Sequence, residues 1–187
     1  MRSYIERAKD FIEQIYPYIE GNMYPSYIRG CINRFNTTFD RKVIVRHGLS
    51  RIALITSDYV VKFDYDADEV ESIGGCENEL ELYSRAEREG FAYLFAKITS
   101  YTFHNYIFYI MPRIKGIGSG RGYAEDYMTP SEKDFCRRYK ITDLHTSNYG
   151  FRNNHVCLVD YACHLSYDNS SDYEFYYINR TNASDLT

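Results

Sequence analysis

The chain has 187 residues, a formal net charge of -4 and a sequence pI near 5.7. That length suits one medium domain or two closely packed units with a real core. The acidic balance, with no basic block longer than Arg137-Arg138, excludes a nonspecific nucleic-acid binder. Cys31, Cys76, Cys136, Cys157 and Cys163 are odd in number and form no C-x-x-C, so neither a disulfide framework nor a zinc site is expected, only reduced, buried thiols. No long apolar run marks a signal peptide or a membrane span, and the expected location is the cytoplasm. The Asn-x-Ser/Thr triplets at Asn179 and Asn182 carry no meaning in that setting.

Ser3-x-x-Glu6 is a capping box, and Ile5, Ala8, Ile12, Ile15 and Ile19 recur at three-four spacing. This predicts an amphipathic helix that Pro17 ends or kinks near Tyr16. A second helix is expected within 24–35, after Pro25, so that residues 1–38 form a helical extension packed on the strands after it; a partner-binding surface is the rival reading. From 39 to 64 the pattern changes to β-branched runs at 43–45, 52–56 and 59–63, split by Gly48 and by Ser57-Asp58, which reads as an antiparallel meander. Helix formers occupy 76–89, between Gly74-Gly75 and Gly90. Runs at 95–102 and 106–111, around a His104-Asn105 turn, complete a five-stranded antiparallel sheet, and 111–114 leads out of it. The glycine-dense segment from Gly116 to Gly122 opens no strand-turn-helix unit, so it reads as a flexible loop. Thr129-Pro-Ser-Glu132 starts a further helix, and Tyr149-Gly-Phe with 155–160 forms a hairpin around Asn153-Asn154. The tyrosines of 167–177 read as ordinary amphipathic packing ahead of a self-modification target. The fold class is α+β.

Chemistry concentrates in Asp143-Leu-His-Thr-Ser-Asn148 and in Val156-Cys-Leu-Val-Asp160. One acid, an amide five positions on and a second acid at the end of an apolar run have the spacing of phosphoryl-transfer sites: a base aimed at a hydroxyl and two oxygen ligands for a metal. Tyr59-Val-Val-Lys62-Phe reads as a buried strand carrying one cation, which requires anionic partners. Glu79 lies at the edge of the apolar face of the 76–89 helix and is the expected partner; Glu81, with Arg85 four residues on, is the reserve. His145 reads as a loop-positioning side chain, and His47 has no assigned role.

Taken in order, strand lysine, helix glutamate, the strand running into Met111-Pro112-Arg113, the D-L-H-x-x-N run and the strand-borne Asp160 resemble the protein-kinase-like superfamily. The Asp-Leu-His form is similar to its minimal atypical branches, RIO-type, aminoglycoside-phosphotransferase-like and phage-encoded, over residues 45–162. The resemblance implies a two-lobed fold: helical extension 1–38, N-lobe 39–113 and reduced C-lobe 114–187. It implies ATP in the cleft, Lys62 on the phosphates and paired with Glu79, Asn148 and Asp160 on magnesium, and Asp143 as the base. Gly48, Ser50 and Arg51 then form the phosphate hairpin, and Met111 and Arg113 the adenine-binding connector. A phosphoryl acceptor on a protein is implied as well, in the host cytoplasm for a phage protein. Three departures stand against the pattern: a single glycine in the phosphate hairpin, Asp160-Tyr-Ala without its usual glycine, and only 27 of the 187 residues after Asp160. The missing glycine implies a fixed, unswitched segment, and the other two departures favour the alternative, a pseudokinase-like module that scaffolds or inhibits a partner protein.

Overall fold

The structure is a computed structural model that describes residues 2–48, 51–65, 75–117 and 122–161. Ser50, most of the glycine-dense segment and the tyrosine-rich 167–177 stretch lie outside the described residues. Among those described, four α-helices and two sheets form an α+β fold. Helices α1 (Tyr4–Ile19) and α2 (Pro25–Phe39) precede strands β1 (Ile44–His47), β2 (Arg51–Ile55) and β3 (Tyr59–Asp64). Helix α3 (Cys76–Glu89) comes next, then β4 (Thr99–Phe103), β5 (Tyr106–Pro112), α4 (Pro130–Arg138), and the hairpin β6 (Tyr149–Arg152) and β7 (His155–Leu158). The larger sheet is antiparallel with order β1-β2-β3-β5-β4. None of the helices described is long and apolar enough to cross a membrane.

Side-chain alternation divides this sheet between two cores. Ile52, Leu54, Tyr59, Val61, Phe63, Phe108 and Ile110 point to one face and are buried against α1 and α2, which contribute Ile12, Ile15, Ile28, Ile32 and Phe35. Tyr109 and Met111 point to the other face and join α3, α4 and the hairpin in a second core around Phe95, Phe135, Tyr149 and Tyr161. The N-terminal helices therefore complete a core by covering the outer face of the sheet. Lys62 lies opposite Ala53 and Tyr109, so it points to the inner face.

Local signals account for most of the element ends. Ser3 and Glu6 form the capping box of α1, Gly90 closes α3 at φ 81°, and Thr129 with Glu132 starts α4. Asn153 and Asn154 turn the hairpin with φ of 53° and 62°, the left-handed pair a tight turn demands. Two expectations need correction. Helix α1 runs through Pro17 to Ile19: proline falls in the last turn, where a single ladder bond is lost, and burial of Tyr16 and Ile19 holds the turn in place. The strand expected from residue 95 begins only at Thr99, because Ala92–Leu94 is a 3₁₀ turn. Phe95 itself is drawn into the second core beside Phe135 and Tyr161 and bridges Leu158.

Candidate functional site

Strand β3 sets Lys62 on the inner face with only 10% of its side chain exposed, among apolar neighbours that cannot solvate an ammonium. Its partner comes from α3. Asp64, at the end of β3, accepts the Cys76 N–H at 3.1 and 3.2 Å and so caps the N-terminus of that helix. This cap ties helix to strand two residues from the lysine. Lys62 Nζ then donates to both oxygens of the fully buried Glu79 at 2.9 Å and to the Val159 carbonyl at 2.8 Å. Arg51, leaving β2 on the same face, donates from Nη1 to Glu79 Oε1 at 3.0 Å, and its Nη2 lies 2.9 Å from Asp160 Oδ1. The Tyr161 N–H adds a further bond to Glu79 at 3.2 Å.

Two cations and two carboxylates thus form one cluster. Burial works against the Lys62 ammonium, but Glu79 and Asp160 outweigh it and hold its pKa above the ordinary lysine value. Burial likewise opposes the Asp160 carboxylate, and Lys62 and Arg51 overcome it and pull that pKa below the usual aspartate range. Complete burial pushes Glu79 up against the pull of Lys62 and Arg51. Glu81, the reserve partner, is instead ion-paired with Arg85 at the surface.

The 143–148 loop lies against the same turn. Backbone N–H groups of Val159 and Asp160 donate to the Asn148 carbonyl at 2.8 and 3.4 Å, which brings the amide-bearing residue and Asp160 together. Asn148 is buried, and its Nδ2 donates to the Asp143 carbonyl at 2.9 Å. The side-chain nitrogen is thereby occupied, while the side-chain oxygen accepts a long 3.5 Å bond from the Ser147 hydroxyl and keeps a lone pair for another ligand. Asp143 has 57% of its side chain exposed and lies 3.0 Å from His145 Nε2; His145 Nδ1 is 2.8 Å from Ser147 Oγ. His145 therefore links Asp143 to Ser147 of the same loop.

One carboxylate and one amide oxygen are the hard donors magnesium takes alongside phosphate oxygens and water. Among the described residues no group of three or more His, Cys, Asp or Glu side chains could hold a metal by itself. The two residues fit the ion only as partial ligands completed by a bound anion.

Other candidates take different places. Arg51 serves the internal cluster rather than an open hairpin, because the β2–β3 register sets it opposite Asp64 on the inner face. Gly48 lies in the turn between β1 and β2: its N–H donates to the Arg51 carbonyl and its carbonyl accepts the Tyr65 hydroxyl. Met111 is buried beside the inner face. Arg113 is corrected as a backbone donor, since its N–H already donates to the Asp58 carbonyl at 3.0 Å and its guanidinium to Thr56. Between Lys62 and the sheet edge the inner face carries half-buried Ala53, Ile55 and Val60, with Arg46 exposed beside them. Sequence reasoning missed the Asp64 cap and the Arg51 bridge. The only signal for the latter is that Arg51 and Ala53 share strand parity, which has meaning once the register is known. No protein-family model matches the chain, and no curated protein matches it either.

Proposed function

We propose that the chain is an ATP-dependent phosphotransferase of minimal protein-kinase-like type, two-lobed, transferring the γ-phosphoryl group to a hydroxyl on a protein. The observation that carries this reading is the buried Lys62–Glu79 pair held beside Asp160, with Asn148 hydrogen-bonded to the same turn. Removing a lysine from water and saturating it with a buried carboxylate is costly, and a scaffold has no physical need for it in that position. The half-buried apolar strip of Ala53, Ile55 and Val60 suits the flat face of a nucleobase, and the Met111 side chain borders it. Asn148 and Asp160 would hold magnesium, which supplies charge neutralisation on the phosphates when bound. Asp143, exposed and oriented by His145, accepts the acceptor proton as the acceptor oxygen bonds to the γ-phosphorus and the bond to the ADP oxygen breaks.

The test is transfer of radiolabelled γ-phosphate to the chain itself or to lysate proteins, beside Asp160→Ala. Label in the wild type that disappears in the variant supports the reading. Equal labelling overturns it.

A second reading, a kinase-like binding module that occupies a partner protein, is favoured by one observation: the four charges of the cluster satisfy one another without any ligand. Thermal stabilisation by ATP and magnesium separates the two, since a ligand of the folded state must raise its apparent stability. No shift at millimolar ligand favours the module.

A further inference from the structure

We infer that Arg51 holds the cation position at Asp160 while the site is free of anions, so that a divalent ion gains Asp160 only after phosphate draws the guanidinium away. This deepens the phosphotransferase reading and rests on it for the identity of the anion.

Donor counts separate the two cations. An ammonium has three N–H groups, and all three of Lys62 are engaged, two by Glu79 and one by the Val159 carbonyl. A phosphate arriving at Lys62 must break one of these bonds. A guanidinium has five N–H groups, and Arg51 has one on Glu79 and one directed at Asp160, so donors remain for an oxyanion without loss of the Glu79 contact. Arg51 is also the more open of the two, with 22% of its side chain exposed against 10% for Lys62. Of the two cations in the cluster, Arg51 is the one with unengaged donors to offer a phosphate.

The same guanidinium stands against the carboxylate that a metal needs. Arg51 Nη2 lies 2.9 Å from Asp160 Oδ1, and Nη1 is fixed at its other end by the fully buried Glu79. A dication on the second Asp160 oxygen would lie next to this pinned positive charge and be repelled by it. Metal alone therefore competes with Arg51, whereas phosphate attracts both. Linkage makes the effect reciprocal: whatever draws Arg51 off Asp160 raises metal affinity, and metal on Asp160 raises anion affinity by the same factor. Arg51 is a positioning residue in this scheme. It sets the order, nucleotide before metal, and balances the charge of Asp160.

The experiment tracks Mn²⁺ binding by the loss of its free-ion electron paramagnetic resonance signal. The full chain is titrated with and without a non-hydrolysable ATP analogue, beside Arg51→Gln and Asp160→Asn. Without nucleotide, Arg51→Gln should bind Mn²⁺ about tenfold or more tightly than wild type, the size of a typical coupling. Counted above the Mn²⁺ that the analogue chelates by itself, the analogue should raise affinity in both proteins because its phosphates also ligate the ion, with a smaller increase in Arg51→Gln, and Asp160→Asn should lose the site seen without nucleotide. Equal Mn²⁺ affinity of wild type and Arg51→Gln without nucleotide overturns the inference, as does binding that survives Asp160→Asn. If Arg51→Gln does not fold, Arg51→Lys, which keeps the charge but lacks the fork that reaches Glu79 and Asp160 together, takes its place with the same expected gain in Mn²⁺ affinity without nucleotide. If the analogue binds nothing but Arg51→Gln still gains Mn²⁺, the placeholder role stands and the phosphotransferase reading falls. If the analogue binds and Mn²⁺ affinity is unchanged throughout, the reading stands and the placeholder role falls.

Discussion

Lys62→Met is the most informative perturbation of the cluster. It removes the ammonium, keeps the volume of the stem and leaves Glu79 fully buried. Removing one partner of a buried pair costs about 3–5 kcal/mol because the other charge is left uncompensated. Here Glu79 keeps Arg51 at 3.0 Å and the Tyr161 N–H at 3.2 Å, which places the expected loss at the lower end, about 3 kcal/mol at neutral pH. For a chain of this size that is a fall of about 6–12 °C in Tm. The loss should depend on pH. Glu79 already has a raised pKa from burial, and without Lys62 it rises further. A carboxyl raised in the folded state contributes its stability below the unfolded value and loses it as pH climbs through the folded value. The variant should therefore be less impaired near pH 5 than near pH 7. Denaturant unfolding at both pH values, completed as a cycle with Glu79→Gln, checks this. The double variant should recover about 1–3 kcal/mol relative to additivity. A loss under about 1 kcal/mol for Lys62→Met, the same at both pH values, would refute the claim that the ammonium is held by buried charge.

Two further outcomes come from packing. Gly150→Ala should destabilise by about 1–3 kcal/mol, since a Cβ there would stand 2.5 Å from the Lys115 carbonyl and 2.9 Å from an Ile114 methyl; denaturant unfolding measures it, and a neutral result would mean that the 115–151 bridge yields. Burial pushes the Cys136 thiol up to about 12 and Cys157 to about 11, so both stay protonated when folded and ionise near 8.5 when unfolded. Their contribution to stability is whole below that unfolded value and falls as pH rises through 11 and 12. Thiol alkylation mapped by mass spectrometry should leave both unmodified at pH 8 until denaturant is added.

The parts of the fold that local chemistry dictates were legible. A capping box, a glycine after the last helical turn and an Asn-Asn turn each act within a few residues, and α1, α3, α4 and the β6–β7 hairpin carry those signatures. The meeting of Lys62 and Glu79 was also legible, because a lysine in an apolar strand must find a carboxylate and only one glutamate of the helix lies at the edge of its apolar face. Arg51 was not. Whether an arginine after a turn faces solvent or the interior depends on strand register, and register is set by pairing with β3 rather than by neighbours in sequence. Asp64 was hidden for a similar reason, since it caps a helix that starts twelve residues later. Pro17 and Phe95 misled because tertiary burial overrode a local propensity in each case.

The charges of the cluster are poor candidates for a purely structural role, and that claim can be tested directly. Replacing a buried ion pair by apolar residues of similar volume is commonly neutral or stabilising by about 1–4 kcal/mol, because the desolvation of both ions disappears. Lys62→Met with Glu79→Leu does this, and it leaves Arg51 with Asp160, a pair that is partly exposed and needs less compensation. The double variant should unfold at the wild-type denaturant midpoint or above it, while Lys62→Met alone unfolds well below. It should also lack the stabilisation that the phosphotransferase reading expects ATP and magnesium to give the wild type, since Arg51 no longer has Glu79 to aim it. A double variant as unstable as Lys62→Met would mean that the cluster holds the two cores together, and its ions would then need no further explanation. A double variant that is stable and still stabilised by nucleotide would separate ligand binding from the cluster and remove the main physical support for the phosphotransferase reading.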